Sequence, residues 1–265
     1  MDKYVFILNA NNQVGNEVAK KFVSENYIVF AGDPSYENKK FGNLIYVKVD
    51  PNSYKSLDFA KKYIQKYTSK ISAIIHLTNF YSYSTLIECR EEDISKAIDQ
   101  NFMSAFKTNQ VLWTLLEQRS GKIIHDCSDV SLYKHMPFNG LYSLSKTLLK
   151  NYNDILRREL REKGITIIRI HTAFIRDDNY ENIVSKYHQA TEESKLLFSD
   201  MNRFFTLNIP NENFITPFEY SEFLVKIVKT KAAKRAYFYK CSKKLKHINN
   251  LSPVLRERYL KRYQK

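Results

Sequence analysis

Two residues one helical turn apart have the chemistry of a proton-transfer pair. Tyr142 and Lys146 are four positions apart in an amphipathic stretch, so a helix would place both side chains on one face. A free tyrosine has a pKa of about 10 and is a poor acid or base near neutral pH. A neighbouring ammonium stabilises the phenolate and lowers that pKa. We therefore expect Tyr142 to act as a general acid or base, although this spacing alone is common on amphipathic helices.

Two polar residues upstream extend this pattern. Ser128 follows the apolar run 122–126 and precedes Tyr142 by 14 positions. Asn101 lies inside the long helical pattern 91–118. If the apolar run is a strand of a parallel sheet, Ser128 lies at its carboxyl end, where such sheets bind ligands.

The chain alternates short apolar runs with longer amphipathic segments, and this order predicts the fold. We predict strands over 4–8, 28–31, 44–49, 71–77, 122–126, 166–170 and 235–239. We predict helices over 14–25, 53–67, 91–118, 141–163, 217–230 and 252–262. Such alternation is typical of right-handed βαβ units. The sequence thus predicts a single doubly wound α/β domain, with a parallel sheet of about seven strands and helices on both faces.

Composition sets the class of protein. The chain has 265 residues, of which 43% are hydrophobic, and this is enough to bury the core of one α/β domain. No run approaches the roughly 20 apolar residues of a membrane span, and the first residues lack the pattern of a secretory signal. The three cysteines, Cys89, Cys127 and Cys241, lack metal-type spacing and favour a reducing compartment. We expect a cytoplasmic protein without a metal site.

The positive charge is concentrated at the carboxyl end. The net charge is +14, and residues 226–265 contain 14 Lys or Arg and one acid, Glu257. We interpret residues 241–265 as a basic helical extension, whose last helix begins with Ser252 as N-cap and Pro253 in the first turn. Such a tail can contact an anionic surface or nucleic acid, or it can be a solvated face docked on its own domain or a neighbour. We prefer docking.

The order of an Asn, a Ser, a Tyr and a Lys resembles the short-chain dehydrogenase/reductase family, in which these types form a catalytic tetrad. The Tyr and Lys belong to the segment YSLSK, the Ser ends GKIIHDCS, and Gly164 matches the start of the following strand of the family. The resemblance covers residues 3 to 240 approximately. It implies a Rossmann-type domain over 1–240, with a substrate lid at 176–216, and the catalytic residues Asn101, Ser128, Tyr142 and Lys146.

The resemblance implies an oxidoreductase that transfers a hydride between NAD(P) and a small carbonyl or alcohol substrate. Tyr142 would exchange the proton, and Ser128 would hydrogen-bond the reacting oxygen. Lys146 would lower the pKa of Tyr142 and bind ribose hydroxyls, and Asn101 would bind a relay water. Relatives form homodimers or homotetramers through the helices at 91–118 and 141–163. The aromatic lid suits an apolar or ring-shaped substrate or else packs on the domain; its apolar and aromatic residues include Tyr180, Tyr187, Leu196, Leu197, Phe198, Met201, Phe204 and Phe205, together with His188.

The family's glycine-rich phosphate turn aligns with residues 8–15, where Gly15 is retained. Asn9 tolerates a left-handed conformation, and Gln13 adds a side chain where phosphates approach. Asp33 would bind the adenosine ribose and so favour NAD over NADP, and Asp50 would lie near the adenine. The implied cofactor-binding residues are Asn9, Asn12, Gln13, Val14, Gly15, Asp33, Asp50, Thr78, Tyr142, Lys146 and Thr172.

Two further family motifs differ in this chain, at 76–79 and at 172–173. His76 is polar at the sheet centre, and we interpret it as a hydrogen-bonded core histidine. Because three motifs that line the cofactor depart together, the alternative is a catalytically inactive binding or scaffold protein with a degenerate cofactor loop.

Overall fold

A mostly parallel sheet forms the centre of the molecule. The computed structural model describes residues 3–132, 138–195 and 214–261. Within them the sheet has eight strands in the order β3-β4-β2-β1-β5-β6-β7-β8. The strands are β1 Lys3–Leu8, β2 Tyr27–Asp33, β3 Lys39–Phe41, β4 Leu44–Lys48, β5 Ala73–His76, β6 Lys122–Asp126, β7 Thr166–Thr172 and β8 Ala236–Tyr239.

The seven predicted strands are confirmed, and an eighth was missed. β3 pairs antiparallel with β4 at one edge of the sheet, and its three residues are all exposed, so no apolar run marks it. The other neighbours are parallel. The strand order reverses between β1 and β5, and this switch point creates a crevice at the carboxyl ends of those two strands.

Helices cover both faces of the sheet, as predicted. They are α1 Gln13–Ser24, α2 Tyr54–Gln65, α3 Glu91–Ile98, α4 Ser104–Leu112, α5 Gly140–Glu159, α6 Tyr180–Glu193, α7 Pro217–Lys229, α8 Lys243–Asn250 and α9 Pro253–Lys261. Side chains alternate along β1, so Val5 and Ile7 pack with α1 and α7. Phe6 and Leu8 pack on the other face with α2, α4 and α5. These hydrophobic layers, one on each face of the sheet, hold the strands whose ends face the crevice.

The predicted helix 91–118 is interrupted in the structure. A π-helical turn, Asp99–Met103, separates α3 from α4, and a 3-10 turn, Trp113–Leu115, follows α4. Asn101 is buried in the π-turn, and its side chain hydrogen-bonds both the N–H and the C=O of Phe80. Buried residues continue on one side from α3 through the π-turn to α4, as they would in a single helix. The apolar periodicity of the sequence therefore does not reveal this interruption.

Up to residue 261, where the description of the chain ends, the carboxyl extension contains two helices, of which only the second was predicted. Ile248 of α8 is buried, and the N–H of Ser242 before α8 donates to Asp129. On α9, Val254 and Leu255 are exposed. The structure therefore docks α8 on the domain and leaves apolar residues of α9 uncovered in the single chain.

Parts of the predicted lid and tail are not among the residues that the structure describes. The predicted lid residues Leu196, Leu197, Phe198, Met201, Phe204 and Phe205 lie outside the described residues, and so do the last residues of the basic tail. Among the described residues, every helix is too short or too polar to cross a bilayer.

A buried polar network joins the sheet to α4 and α5. The rings of His76 and His125 stack with centroids 4.5 Å apart. His76 Nε2 lies 2.8 Å from Asn109 Oδ1, and Asn109 Nδ2 lies 2.9 Å from His125 Nε2. His125 Nδ1 lies 3.0 Å from Asn153 Oδ1. Because His125 accepts at one nitrogen and donates at the other, its ring is neutral, and the interpretation of His76 as a hydrogen-bonded core histidine is confirmed.

Burial sets the ionisation of both rings. It lowers the pKa of His76 to about 4 and the pKa of His125 well below its usual value near 6.5. The unfolded chain therefore binds protons at these positions between about pH 4 and 6.5, while the folded chain does not. Stability consequently falls as the pH falls through this window.

We expect His76→Gln to make the unfolding free energy less dependent on pH. The substitution removes one group that only the unfolded state protonates in this pH range. Protonation of that group lowers the unfolding free energy by about 3 kcal/mol between pH 6.5 and 4. Urea denaturation of both proteins at several pH values from 4.5 to 7.5 measures the difference in slope. The exposed His247→Gln serves as control and keeps the wild-type slope. Equal slopes for His76→Gln and wild type would contradict the assignment.

Candidate active site

The segment that follows β5 gathers three of the four predicted catalytic residues. The hydroxyl of Tyr142 donates to Asn79 Oδ1 over 3.2 Å. Lys146 Nζ donates to the carbonyl of Thr78 over 2.6 Å. Asn101 holds the backbone of Phe80, as described above, and also donates to Ser145 Oγ over 3.0 Å. Residues 78–80 therefore connect the π-turn to α5 at the carboxyl end of the sheet.

Ser128, the fourth residue, is held in an unusual backbone conformation just beyond β6. Its φ angle is 52°, in the left-handed region that non-glycine residues rarely adopt. The N–H of Ser128 donates to Asp126 Oδ1 over 2.9 Å. Its carbonyl accepts from Ser131 Oγ and lies 3.0 Å from His171 Nδ1. Hydrogen bonds on both sides of the residue offset the backbone strain, which is common at functional sites.

The environment of Tyr142 differs from the sequence-based expectation. Burial raises the pKa of Tyr142 well above 10, and the charge of Asp126 raises it further. Hydrogen bonds with Ser128 and Tyr81 act in the opposite direction. Lys146 Nζ lies 5.7 Å from the centre of the Tyr142 ring. The pKa of Tyr142 is therefore raised in this structure and not lowered as expected, because removal from water disfavours the phenolate.

Lys146 is fully buried and depends on two acceptors. Besides Thr78, the carbonyl of Asp126 accepts from Nζ over 2.9 Å. Burial lowers the pKa of Lys146, whereas the charge of Asp126 raises it. The ammonium is thus held at the carboxyl ends of β5 and β6.

The predicted nucleotide turn keeps its conformation without most of its glycines. Asn9 has a φ of 63°, so it adopts the left-handed conformation expected of it. Asn12 caps α1 by accepting the N–H of Gly15 over 2.8 Å, and its amide donates to the carbonyl of Asn9. A Cβ atom on Gly15 would lie 2.6 Å from Cα of Ala10, so only glycine allows α1 to approach β1 this closely.

The crevice beside this turn is narrow. It has a volume of about 150 Å³ between the nucleotide turn, the segment after β5 and residues 177–179. Gln13 Oε1 accepts the N–H of Asp178 over 2.8 Å and so joins the turn to that segment. Pockets for small ligands usually measure about 300–1,000 Å³. The left-handed turn, the close helix and the buried lysine fit a dinucleotide, and the hydrogen bond to Gln13 from Asp178, which lines the crevice, joins the two sides.

Three further predicted cofactor-binding residues, Asp33, Asp50 and Thr172, form hydrogen bonds within the protein. Asp33 is buried, and its Oδ1 accepts both the N–H and the hydroxyl of Ser35. Asp50 is exposed before α2 and accepts the N–H of Asn52. The hydroxyl of Thr172 donates to Asp126 over 3.4 Å. Asp33 and Asp50 thus both stabilise local turns in this structure.

The sequence analysis missed three polar groups of the site. Asp126 is buried and accepts the hydroxyl of Tyr220 over 2.9 Å. The ring of Tyr81 packs on the ring of Tyr142 with centroids 4.6 Å apart. A carboxylate at the end of a wholly buried strand was a usable signal for Asp126, whereas the contacts of Tyr220 and Tyr81 come from distant parts of the chain.

Comparison with known proteins places these residues in a family. Residues 3–188 match the family model described as short chain dehydrogenase, which is well over half of the chain. The chain belongs to the short-chain dehydrogenase/reductase family. The family resemblance seen in the sequence is therefore confirmed, and the protein is an NAD(P)-dependent oxidoreductase.

Characterised members of the short-chain dehydrogenase/reductase family are distant relatives of this chain. An NADPH-dependent 3-dehydrocapnine reductase of Ornithobacterium rhinotracheale is 25% identical over 189 residues, which are 66% of each chain. An NADPH-dependent 1-acyldihydroxyacetone phosphate reductase of Schizosaccharomyces pombe is 25% identical over 227 residues, 83% of this chain and 76% of that one. Names of this kind give no support to an inactive scaffold protein.

Solved structures of short-chain dehydrogenases share the fold. A family member from Francisella tularensis superposes with a TM-score of 0.74 at 17% identity, covering 90% of this chain and 97% of that one. L-sorbose reductase from Gluconobacter frateurii, in complex with NADPH and L-sorbose, has a TM-score of 0.69 at 14% identity, covering 90% and 94%. At this identity the likeness establishes the fold alone.

We expect Gln13→Ala to raise the affinity for the dinucleotide. The hydrogen bond from Asp178 to Gln13 must break on binding, and a bond of this kind contributes about 0.5–1.5 kcal/mol, or roughly two- to tenfold in affinity. Titration with NADH and NADPH, followed by cofactor fluorescence, measures the dissociation constants. Asn16→Ala, an exposed position in the same helical turn, is the control. Weaker binding by Gln13→Ala would mean that Gln13 instead contacts the cofactor.

Proposed function

We propose that the protein reduces the carbonyl group of a small molecule, and oxidises the corresponding alcohol, with Asn101, Ser128, Tyr142 and Lys146 as its tetrad. The observation that carries this proposal is the convergence of Asn101, Tyr142 and Lys146 on residues 78–80. Ser128 completes the group through its hydrogen bond with Tyr142.

Tyr142 is the proton donor in the reductive direction. Its phenol is protonated at neutral pH, because burial raises its pKa. A dinucleotide bound in the crevice would supply the hydride. Tyr142 then transfers its proton to the carbonyl oxygen, and Ser128 donates a hydrogen bond to that oxygen while negative charge develops on it.

Lys146 and Asn101 support this transfer. The ammonium of Lys146 would hold the ribose hydroxyls of a bound cofactor, and it stabilises the phenolate that remains on Tyr142 after proton loss. Asn101 fixes Phe80 and binds a water that returns a proton towards Lys146. The π-turn buries Asn101, and the side-chain amide bonds the backbone of Phe80.

The relatives named as NADPH-dependent favour NADPH as the cofactor. Asp33 led us to expect NAD instead, because a carboxylate repels the 2′-phosphate of NADP. That carboxylate is directed at Ser35 in this structure, which weakens the basis for the expectation. Comparison of the affinities for NADH and NADPH decides between the two.

The substrate side of the site is aromatic. Tyr83, Phe138, Ile183 and Tyr187 form a buried cluster between the segment after β5 and α6. We propose an apolar or ring-shaped carbonyl compound as substrate, because such walls exclude water and bind by contact area.

We also propose that the enzyme is a homodimer or homotetramer that assembles through α5. Leu144, Leu148 and Ile155 lie along one side of this helix with exposures of 50%, 40% and 54%. A row of exposed apolar residues on a long helix is typical of a helix–helix interface. The basic extension after residue 240 stays a candidate for contact with anionic surfaces.

Tyr142→Phe tests the catalytic assignment. We expect turnover to fall by at least about a thousandfold while the dissociation constant for NADPH changes little, because only the proton donor is removed. Lys146→Ala should impair both turnover and NADPH binding. Steady-state rates with a panel of apolar ketones, together with fluorescence titrations, measure the two effects. An unchanged rate in Tyr142→Phe would disprove the mechanism.

Leu148→Lys tests the assembly. We expect light scattering to give the mass of a dimer or tetramer for the wild type and of a smaller species for the variant, because a charge at the centre of the row is desolvated on assembly. Phe59→Lys replaces an apolar residue on α2 that is 59% exposed, more than Leu148, and keeps the wild-type mass. A wild type that is monomeric at all concentrations would refute the proposal.

A further inference from the structure

The carboxylate of Asp126 connects four elements around the site. It is 2% exposed, at the last position of β6. Its Oδ1 accepts the N–H of Ser128, and its Oδ2 accepts the hydroxyl of Tyr220 from α7. The hydroxyl of Thr172 at the end of β7 lies 3.4 Å from Oδ1 and 3.5 Å from Oδ2. A buried carboxylate is costly unless it is paired, so this position needs an explanation.

The opposite charge nearby is the ammonium of Lys146. Its Nζ donates to the backbone carbonyl of Asp126 itself and to that of Thr78. Carbonyl groups satisfy the N–H bonds of a buried ammonium but carry no net charge. Among the described residues, Asp126 is the carboxylate whose charge favours the protonated form of Lys146. Asp126 therefore adds a negative charge to the buried group of residues that holds the Lys146 ammonium at the carboxyl end of β6.

Other titratable groups around the pair come from every neighbouring element. They are Tyr81 after β5, Cys127 and Asp129 after β6, Tyr142 on α5, His171 on β7 and Tyr220 on α7. The imidazoles of His76 and His125 also interact with Lys146, and both are neutral at pH 7.5 because burial lowers the pKa of each ring. Asp129 titrates near pH 7 because burial raises its pKa to about 7, and it is directed to Ser242.

We propose that Asp126 is a positioning residue that keeps the site in the charge state for carbonyl reduction. It holds Lys146 as an ammonium and Tyr142 as a phenol, and it fixes the strained Ser128 through its N–H. The inference rests on the proposed function for the roles of Tyr142, Ser128 and Lys146. The pairing of Asp126 with Lys146 is a property of the cofactor-free chain and is tested separately.

A thermodynamic cycle on the cofactor-free protein tests the pairing. It compares the wild type, Asp126→Asn, Lys146→Met and the double variant by urea denaturation at pH 7.5. We expect Asp126→Asn to raise the unfolding equilibrium constant at least about tenfold more when Lys146 is present than when it is replaced. An equal factor in both backgrounds overturns the proposal. If Asp126→Asn does not fold, Asp126→Thr replaces it as the neutral variant.

The pH dependence of NADPH binding tests the consequence for the site. We expect the wild type to lose affinity at alkaline pH as Lys146 loses its proton, since charged donors bind hydroxyl oxygens more strongly. In Asp126→Asn the midpoint of this loss, the pH at which half of the NADPH affinity is lost, moves down by about one unit, because the negative charge that favours protonated Lys146 is gone. Ser131→Ala removes the hydrogen bond to the Ser128 carbonyl but keeps the carboxylate of Asp126, so its midpoint stays at the wild-type value.

The outcomes distinguish a failure of the role of Asp126 from a failure of the proposed function. A wild-type midpoint in folded Asp126→Asn overturns the role of Asp126, and so does an equal shift in Ser131→Ala, which would indicate a purely structural contribution. A wild type that binds neither NADPH nor NADH refutes the proposed function. In that case the thermodynamic cycle still decides whether Asp126 pairs with Lys146.

Discussion

A buried ammonium is the constraint on which the site depends. Lys146 has no access to water, so its N–H groups need acceptors and its charge needs a partner inside the protein. The carbonyls at the ends of β5 and β6 and the carboxylate of Asp126 meet these needs. Because these groups come from neighbouring strands of one sheet, the strand order of the fold is a condition for keeping the lysine charged.

The same strand ends hold the other polar groups in place. The segment after β5 contacts Asn101 and Tyr142, and Asp126 at the end of β6 holds Ser128 in its left-handed conformation. The electrostatics of the site follow from burial more than from sequence neighbours. The pKa of Tyr142 is raised despite the lysine one turn away, since desolvation disfavours the phenolate.

The nucleotide turn shows that backbone conformation and residue type are separable. Asn9 takes a conformation that a glycine would otherwise supply, and the Asn12 side chain caps α1. Gly15 remains because any Cβ there would overlap Ala10. Position 15 has no room for a side chain and is a glycine. Position 9 needs only a positive φ and is an asparagine.

The sequence by itself predicted the α/β class, the helices on both faces and seven of the eight strands seen among the described residues, and the family resemblance named four candidate catalytic residues. Apolar periodicity and the spacing of Tyr142 and Lys146 are local properties, and local patterns survive in a single sequence. The edge strand β3 has only exposed residues, and the π-turn at Asn101 preserves one helical face, so neither left a periodic signal. Only the tertiary structure decided the protonation preference of Tyr142, the contact of Gln13 with Asp178 and the place of Asp126. These depend on desolvation and on groups distant in the chain, such as Tyr220 on α7, which meet only when the sheet is assembled.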